Sequence, residues 1–134
     1  MALHWYSVVV DCHDIAAQAR WWAETLDWQI GFENEEEVVI APPEATEDPV
    51  ETLAEWRHRP QELVFVPVEE GKSVKNRLHI DLAPHTSQDR AAEIAALIER
   101  GATRVDVGQT DDATWTVLAD PEGNEFCVLS SRDR

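Results

Sequence analysis

Ionisable side chains recur at every second position in the stretch KNRLHIDLA, residues 75–83. Successive side chains of a strand point to opposite faces, so Arg77, His79 and Asp81 share one face and an apolar row lies on the other. Imidazole exchanges protons near neutral pH and binds metals, and a carboxylate beside it can orient it or add a ligand. The spacing therefore predicts a strand that packs against a helix on one face and serves a site on the other.

His79 has three interpretations, which the residues leave open. It is a structural histidine hydrogen-bonded to Asp81 or to a neighbouring strand, a ligand-contacting or acid–base residue, or a metal ligand. Asp81 and Asp11 are interpreted as ion-pair partners of Arg77 at the rim of the site. The basic stretch from Lys75 to Arg77 suits either an anionic group or the turn before a strand.

Cys127 suggests nucleophilic catalysis, because a thiolate beside an imidazole is activated. The favoured interpretation is nevertheless a small buried residue that fills space, since free cysteines usually behave as inert hydrophobes. Cys12 and Cys127 do not make a secreted disulfide framework, so both thiols are expected to be reduced.

The composition predicts one globular domain, 1–134, with 43% hydrophobic residues and a net charge of −16. The negative charge argues against nucleic acid as a partner, because phosphate binding needs clustered Lys and Arg, and it favours cationic ligands. The start lacks a basic signal-peptide segment, and no apolar run approaches the ~20 residues that span a bilayer. We therefore expect a cytoplasmic protein that has no membrane partner.

Hydrophobic periodicity predicts two long helices and eight strands. Asp14 stands at the N-cap of a helix over 15–27, and Thr86 or Ser87 caps a second helix that Gly101 ends in the left-handed conformation. The strands are predicted at 3–12, 28–33, 36–41, 61–68, 75–83, 102–107, 113–119 and 124–130.

The order strand, helix and three strands occurs twice, with module one at about 1–68 and module two at about 74–134. A shift of 72 residues places Ser7 on His79 and Leu26 on Ile98. The halves share little residue identity, so the repeat is one of pattern. It predicts two copies of a βαβββ unit.

Alternation also assigns the faces of the strands. On three strands, small or polar side chains share the face opposite the apolar row, which a cavity explains better than chance. The residues on this face are Ser7, Val9, Asp11, His79, Asp81, Glu125 and Cys127.

Four segments resemble the vicinal oxygen chelate superfamily of glyoxalases, bleomycin-resistance proteins and dioxygenases. More narrowly, they resemble the glyoxalase-like domains common in actinobacteria. The segments are VVVDCHD followed by ARWWAETLDW, then KNRLHIDL, then AALIERGAT, then WTVLADPEGNEFCVL. The resemblance implies an α+β fold of two βαβββ modules that form curved mixed sheets around a cleft, with the helices outside.

In metal-dependent members of that superfamily, four inward side chains from the first, fourth, fifth and eighth strands chelate one divalent ion. The corresponding positions in this chain are Ser7, Val64 or Val66, His79 and Cys127. Of these, His79 alone keeps a ligand type of the family, although Glu125 lies two residues from Cys127 on the same face and is a conceivable displaced carboxylate. We therefore expect no cofactor, and a divalent metal, if one binds, is held by His79.

Two function classes follow from the resemblance. The first is a homodimeric binding protein that captures a planar or cationic small molecule, as bleomycin-resistance proteins do. The charge of −16, the six tryptophans and the missing chelators favour it. The second is a metal-dependent lyase, isomerase or dioxygenase, which His79 favours.

The predicted cleft has a polar set and an aromatic set. Trp5, Trp28, Trp56 and Trp115 are candidates for its walls, where indoles stack on aromatic or cationic ligands. The other residues predicted to line it are Ser7, Val9, Asp11, Val64, Val66, Arg77, His79, Asp81, Glu125 and Cys127.

Overall fold

The computed structural model describes residues 3–106, 108 and 114–134. The chain divides into two compact units, Met1–Gly71 and Lys72–Arg134. The module bounds taken from the sequence, 68 and 74, flank this division.

The first unit holds one mixed sheet with the strand order β1-β4-β3-β2. Strand β1 runs parallel to β4, whereas the β4–β3 and β3–β2 pairs are antiparallel. Its elements are β1 (Ser7–Cys12), α1 (Ile15–Leu26), β2 (Gln29–Glu33), β3 (Val38–Ala41), α2 (Leu53–Arg57) and β4 (Glu62–Pro67).

The second unit repeats this arrangement, with the strand order β5-β8-β7-β6 and a parallel β5–β8 pair. Its elements are β5 (Ile80–Leu82), α3 (Arg90–Glu99), β6 (Thr103–Arg104), β7 (Thr116–Ala119) and β8 (Glu125–Val128). The described residues thus form two four-stranded mixed sheets with helices, which confirms the predicted α+β class and the βαβββ repeat.

Helix α1 begins where the sequence indicates. The Asp14 carboxylate accepts a hydrogen bond from the Ala17 N–H at 3.1 Å, which satisfies a free donor of the first turn. The helix ends at Leu26, because Asp27 turns into the left-handed region with φ of 55°. Its buried side includes Trp22, and the unit's core against it contains Val38, Ile40 and Phe65, all fully buried.

Helix α3 begins later than predicted. Its N-cap is Asp89, which accepts a hydrogen bond from the Ala92 N–H at 3.2 Å, so the prediction of Thr86 or Ser87 is wrong. Residues 85–88 form a separate turn instead, in which the Gln88 N–H donates to the His85 carbonyl at 2.9 Å. Gly101 has φ of +116°, as predicted for the residue that follows the helix.

Strand β5 covers only Ile80–Leu82, so the predicted strand over 75–83 is too long. Ile80 pairs with Phe126, and β8 begins one residue earlier, so the chain before His79 has no β8 partner to extend the ladder. Alternation fails there, and Leu78, predicted to face the helix, is 89% exposed. Strand β1 likewise begins at Ser7, opposite Glu62 at the start of β4.

Two predicted strands extend to residues 107 and 113, which lie outside the described residues; their described parts contain β6 and β7. The predicted turn before β8 is present, and the Gly123 N–H donates to the Asp120 carbonyl at 2.9 Å. In the part of the chain that the structure describes, no helix has the length and apolar character required to cross a bilayer.

Candidate functional site

The first unit places its predicted site residues on one sheet face. Val9 pairs with Val64 and Asp11 with Val66, and Ser7 lies two residues before Val9 on the same strand. The opposite face carries the buried core side chains of β4 and β3. The face assignment from alternation therefore holds in this unit. Convergence of these five residues with those of the second unit remains a prediction.

The second unit contains a pocket of about 330 Å³. It is built by register: Asp81 on β5 pairs with Cys127 on β8, and Cys127 pairs with Val117 on β7, so the three side chains form a row across the sheet. Four predicted site residues meet here, together with four others. The lining residues are Lys75, His79, Asp81, Trp115, Val117, Glu125, Cys127 and Leu129.

His79, Asp81 and Cys127 form the polar centre of this pocket. The His79 Nε2 lies 3.1 Å from an Asp81 carboxylate oxygen. One donor atom from each of the three side chains lies within 4.8 Å of the others. Asp81 thus stands beside both an imidazole and a thiol.

The Cys127 thiol is held in its protonated form. Burial raises its pKa above the ordinary 9.0, and the negative charge of Asp81, to which the thiol donates a hydrogen bond, raises the pKa further. The Lys75 ammonium acts in the opposite direction but is outweighed. The arrangement disfavours the nucleophile hypothesis, because a thiol whose pKa is raised presents little of the reactive thiolate at neutral pH.

Glu125 anchors the segment that leads into the pocket. Both of its carboxylate oxygens lie 3.0 Å from the Lys72 ammonium, and one also accepts the Asn76 N–H at 3.2 Å. Burial alone would raise the pKa of Glu125, but the hydrogen bonds from Lys72, its own backbone and Asn76, with the Lys72 charge, lower the pKa overall. The carboxylate proposed from the sequence as a displaced metal ligand is therefore engaged in fixing residues 72–76.

Arg77 is exposed and is not among the residues that line this pocket, whereas Lys75 is. Asp81, expected to pair with Arg77, pairs with His79. Sequence reasoning missed Lys72, Val117 and Leu129. The two apolar residues carry a usable signal, because Val117 and Leu129 share a strand face with pocket residues once β7 and β8 are paired.

The four positions that chelate metal in the superfamily do not fit such an ion here. Ser7 is a weak ligand, and neither Val64 nor Val66 has a donor atom. Among the described residues, the one group of three or more His, Cys, Asp or Glu side chains with converging donor atoms is His79, Asp81 and Cys127.

Comparison with known proteins identifies the type of domain. The sequence model of the glyoxalase-like domain family matches residues 7–129 of this chain. Among curated proteins, none matches the chain in sequence.

Solved structures share the fold at low identity. An enzyme of the glyoxalase/bleomycin resistance protein/dioxygenase family from Burkholderia phytofirmans PsJN superimposes with a TM-score of 0.68 at 14% identity, over 97% of this chain and 100% of that one. The oxidase ChaP-H2 gives a TM-score of 0.64 at 16% identity, over 99% and 96%.

The bleomycin-binding protein of bleomycin-producing Streptomyces verticillus, in complex with copper(II)-bleomycin, gives a TM-score of 0.57 at 14% identity, over 98% of this chain and 100% of that one. These likenesses concern the fold, and they do not determine the ligand or reaction. Because the family model covers residues 7–129, this chain belongs to the glyoxalase-like domain family.

Proposed function

We propose that this protein binds and sequesters a planar small molecule, neutral or cationic, in the pocket of its second unit. One observation carries the proposal: an exposed indole, Trp115, lines the same concave site as the Asp81 carboxylate. The volume of about 330 Å³ lies near the lower end of small-molecule sites, so one or two fused rings would fill it.

The pocket wall supports a flat ligand. Trp115 is 42% exposed, so its ring is accessible for stacking, and Val117 and Leu129 add apolar surface. Aromatic and apolar walls with a few polar groups are typical of organic ligand sites. Polar groups of His79 and Asp81 would orient the ligand at one end of the wall.

Local charge is more balanced than the whole chain suggests. Two carboxylates, Asp81 and Glu125, stand near two ammonium groups, Lys75 and Lys72, and the Lys72–Glu125 pair is mutually satisfied. Preference for a cation therefore comes mainly from the net charge of −16 acting over a distance. That contribution is screened by salt, whereas stacking is not.

The affinity scale follows from these terms. A cation over an indole contributes roughly 0.5–2 kcal/mol, and the buried apolar area of a small ring system contributes most of the remainder. Micromolar binding corresponds to about 8 kcal/mol, which a ligand of this size can reach.

Intrinsic fluorescence titration tests the proposal, with cationic, neutral and anionic compounds built on one aromatic ring system. The protein is treated with a chelator, and two ionic strengths are compared. We expect saturable quenching, tighter binding of the cationic compound at low salt, and loss of that difference at high salt. Trp115→Phe should remove most of the quenching, and Asp81→Asn should weaken binding of the cationic compound. Trp5→Phe is the control: this residue of the first unit is 66% exposed, and its substitution should change neither the quenching nor the affinity.

Two results would contradict the proposal. One is tighter binding of the anionic compound at both ionic strengths. The other is equal behaviour of Trp115→Phe and Trp5→Phe, since it would place the ligand elsewhere or leave only nonspecific quenching.

A second candidate function is metal-dependent lyase, isomerase or dioxygenase chemistry. The observation that favours it is the convergence of His79, Asp81 and Cys127 in the pocket. Turnover of a small carbonyl or catechol compound that requires added divalent metal and is lost in His79→Ala would support it. Equal turnover without metal or in the variant would exclude this candidate.

We also propose a homodimer, located in the cytoplasm. Strand β2 is at the edge of its sheet, and all five of its residues are exposed, including Ile30 and Phe32. A second chain would cover this apolar edge. Sedimentation at micromolar concentration should give twice the 15.2 kDa chain mass, and Phe32→Lys should shift the equilibrium to the monomer.

A further inference from the structure

We propose that His79, Asp81 and Cys127 form a zinc-class metal site contained within the second unit. The proposal does not depend on small-molecule sequestration. Two of its donors, His79 and Cys127, stand at ligand positions of the superfamily, but the site recruits Asp81 as the third donor and uses no residue of the first unit.

The distances are close to those of a metal site. In a tetrahedral shell with bonds of about 2.0–2.3 Å, donor atoms lie roughly 3.3–3.8 Å apart. The His79–Asp81 separation is 3.1 Å, and the three donor atoms all lie within 4.8 Å of one another. If the side chains move together by about 1 Å, the most widely separated pair of donor atoms reaches the separation found in a tetrahedral shell.

The scaffold holds two donors and leaves the third able to adjust. Asp81 and Cys127 are register partners on the parallel strands β5 and β8, so the sheet ladder fixes their separation. His79 precedes β5 and is exposed, so its imidazole can rotate at small cost. The segment before it is tied to β8 through Glu125, which limits how far His79 can move.

The donor types select the metal class. One nitrogen, one oxygen and one sulfur suit borderline ions such as Zn²⁺ and Co²⁺, whereas Mg²⁺ and Ca²⁺ prefer oxygen shells. Cys127 would bind the ion as a thiolate and release its proton to solvent, so that the thiolate and the Asp81 carboxylate together neutralise the divalent charge. Three protein donors leave one position of a tetrahedral shell for water or an added ligand, as in catalytic rather than structural zinc sites.

The test uses the full-length, untagged protein after removal of metals with a chelator. Co²⁺ is added first and followed by absorption, and Zn²⁺ is then titrated against a chromophoric chelator. We expect saturation at one Co²⁺ per chain with a thiolate-to-cobalt charge-transfer band. Cys127→Ser should abolish the band, and His79→Ala and Asp81→Asn should each weaken Zn²⁺ binding at least tenfold.

Two matched controls should bind Zn²⁺ as the unmodified protein does. His58→Ala removes an exposed imidazole of the first unit, and His85→Ala removes another exposed imidazole, in the second unit. Circular dichroism verifies that each variant is folded. If Cys127→Ser unfolds, the variants at the exposed residues His79 and Asp81 still decide the outcome.

The proposal is overturned if the charge-transfer band is absent from the folded protein. It is also overturned if His79→Ala and Asp81→Asn leave the affinity unchanged, which would indicate an adventitious ion only, on the acidic surface. Because the fluorescence titration uses metal-free protein, loss of this site leaves the result on small-molecule binding intact.

Discussion

Breaking the Lys72–Glu125 ion pair should destabilise the second unit and loosen the segment that carries Lys75 and His79 over the pocket. Lys72→Met keeps the length and apolar stem of the side chain but removes its charge. Glu125 is then left with the Asn76 N–H, at 3.2 Å, as its remaining described donor outside its own backbone. The substitution thus removes the cationic partner of a partly buried carboxylate.

The expected magnitude follows from exposure. Ion pairs on open surfaces contribute about 0–1 kcal/mol, and removal of one partner from a fully buried pair costs about 3–5 kcal/mol. The Lys72 and Glu125 side chains are 21% and 11% exposed, so solvent screens the pair in part. We expect Lys72→Met to reduce the free energy of unfolding by about 1–2 kcal/mol, with a coupling to Glu125→Gln of about 1 kcal/mol.

A double-mutant cycle in urea measures this coupling. The Arg20–Glu33 pair of the first unit is the matched control, because it is shorter, at 2.8 Å, yet its side chains are 55% and 36% exposed. If burial sets the contribution, the control coupling should be the smaller of the two. A Lys72–Glu125 coupling below about 0.5 kcal/mol, or one no larger than the control, would refute the reasoning.

Two further predictions concern protonation. Because the folded state lowers the pKa of Glu125 below 4.5, this carboxylate stabilises the protein above that pH and loses its contribution as the pH falls through the folded pKa. Between about pH 5 and 3, the free energy of unfolding measured in urea should therefore fall more steeply in the unmodified protein than in Glu125→Gln. Equal pH dependence of the two free energies would contradict the assignment. In a Cys12→Ser background, alkylation of Cys127 by iodoacetamide should be slow at neutral pH, and its rate should still be rising with pH above 9.0, because burial and Asp81 raise the pKa of the thiol. Asp81→Asn should shift the dependence of the alkylation rate on pH to lower pH. Rapid alkylation of the folded protein at neutral pH would refute the inference that the Cys127 thiol is protonated.

Local periodicity determined the class of fold and the faces of most strands. In the stretch that forms β1, alternation places Val9 on the face opposite the core, because successive side chains of a strand point to opposite faces. Asp14 marked the start of α1 because a cap acts within three residues. Such signals depend only on neighbouring residues and not on distant parts of the chain, so the two βαβββ units could be predicted.

The extent of β5 and the composition of the pocket depended on tertiary structure. A strand persists only where a neighbour offers hydrogen bonds, and the start of β8 decides that residues before His79 leave the ladder. Glu125 becomes an anchor because Lys72, 53 residues away, folds back onto it. Asp81 meets Cys127 because β5 and β8 pair in parallel with this register, and neither residue's own sequence surroundings specify the partner strand.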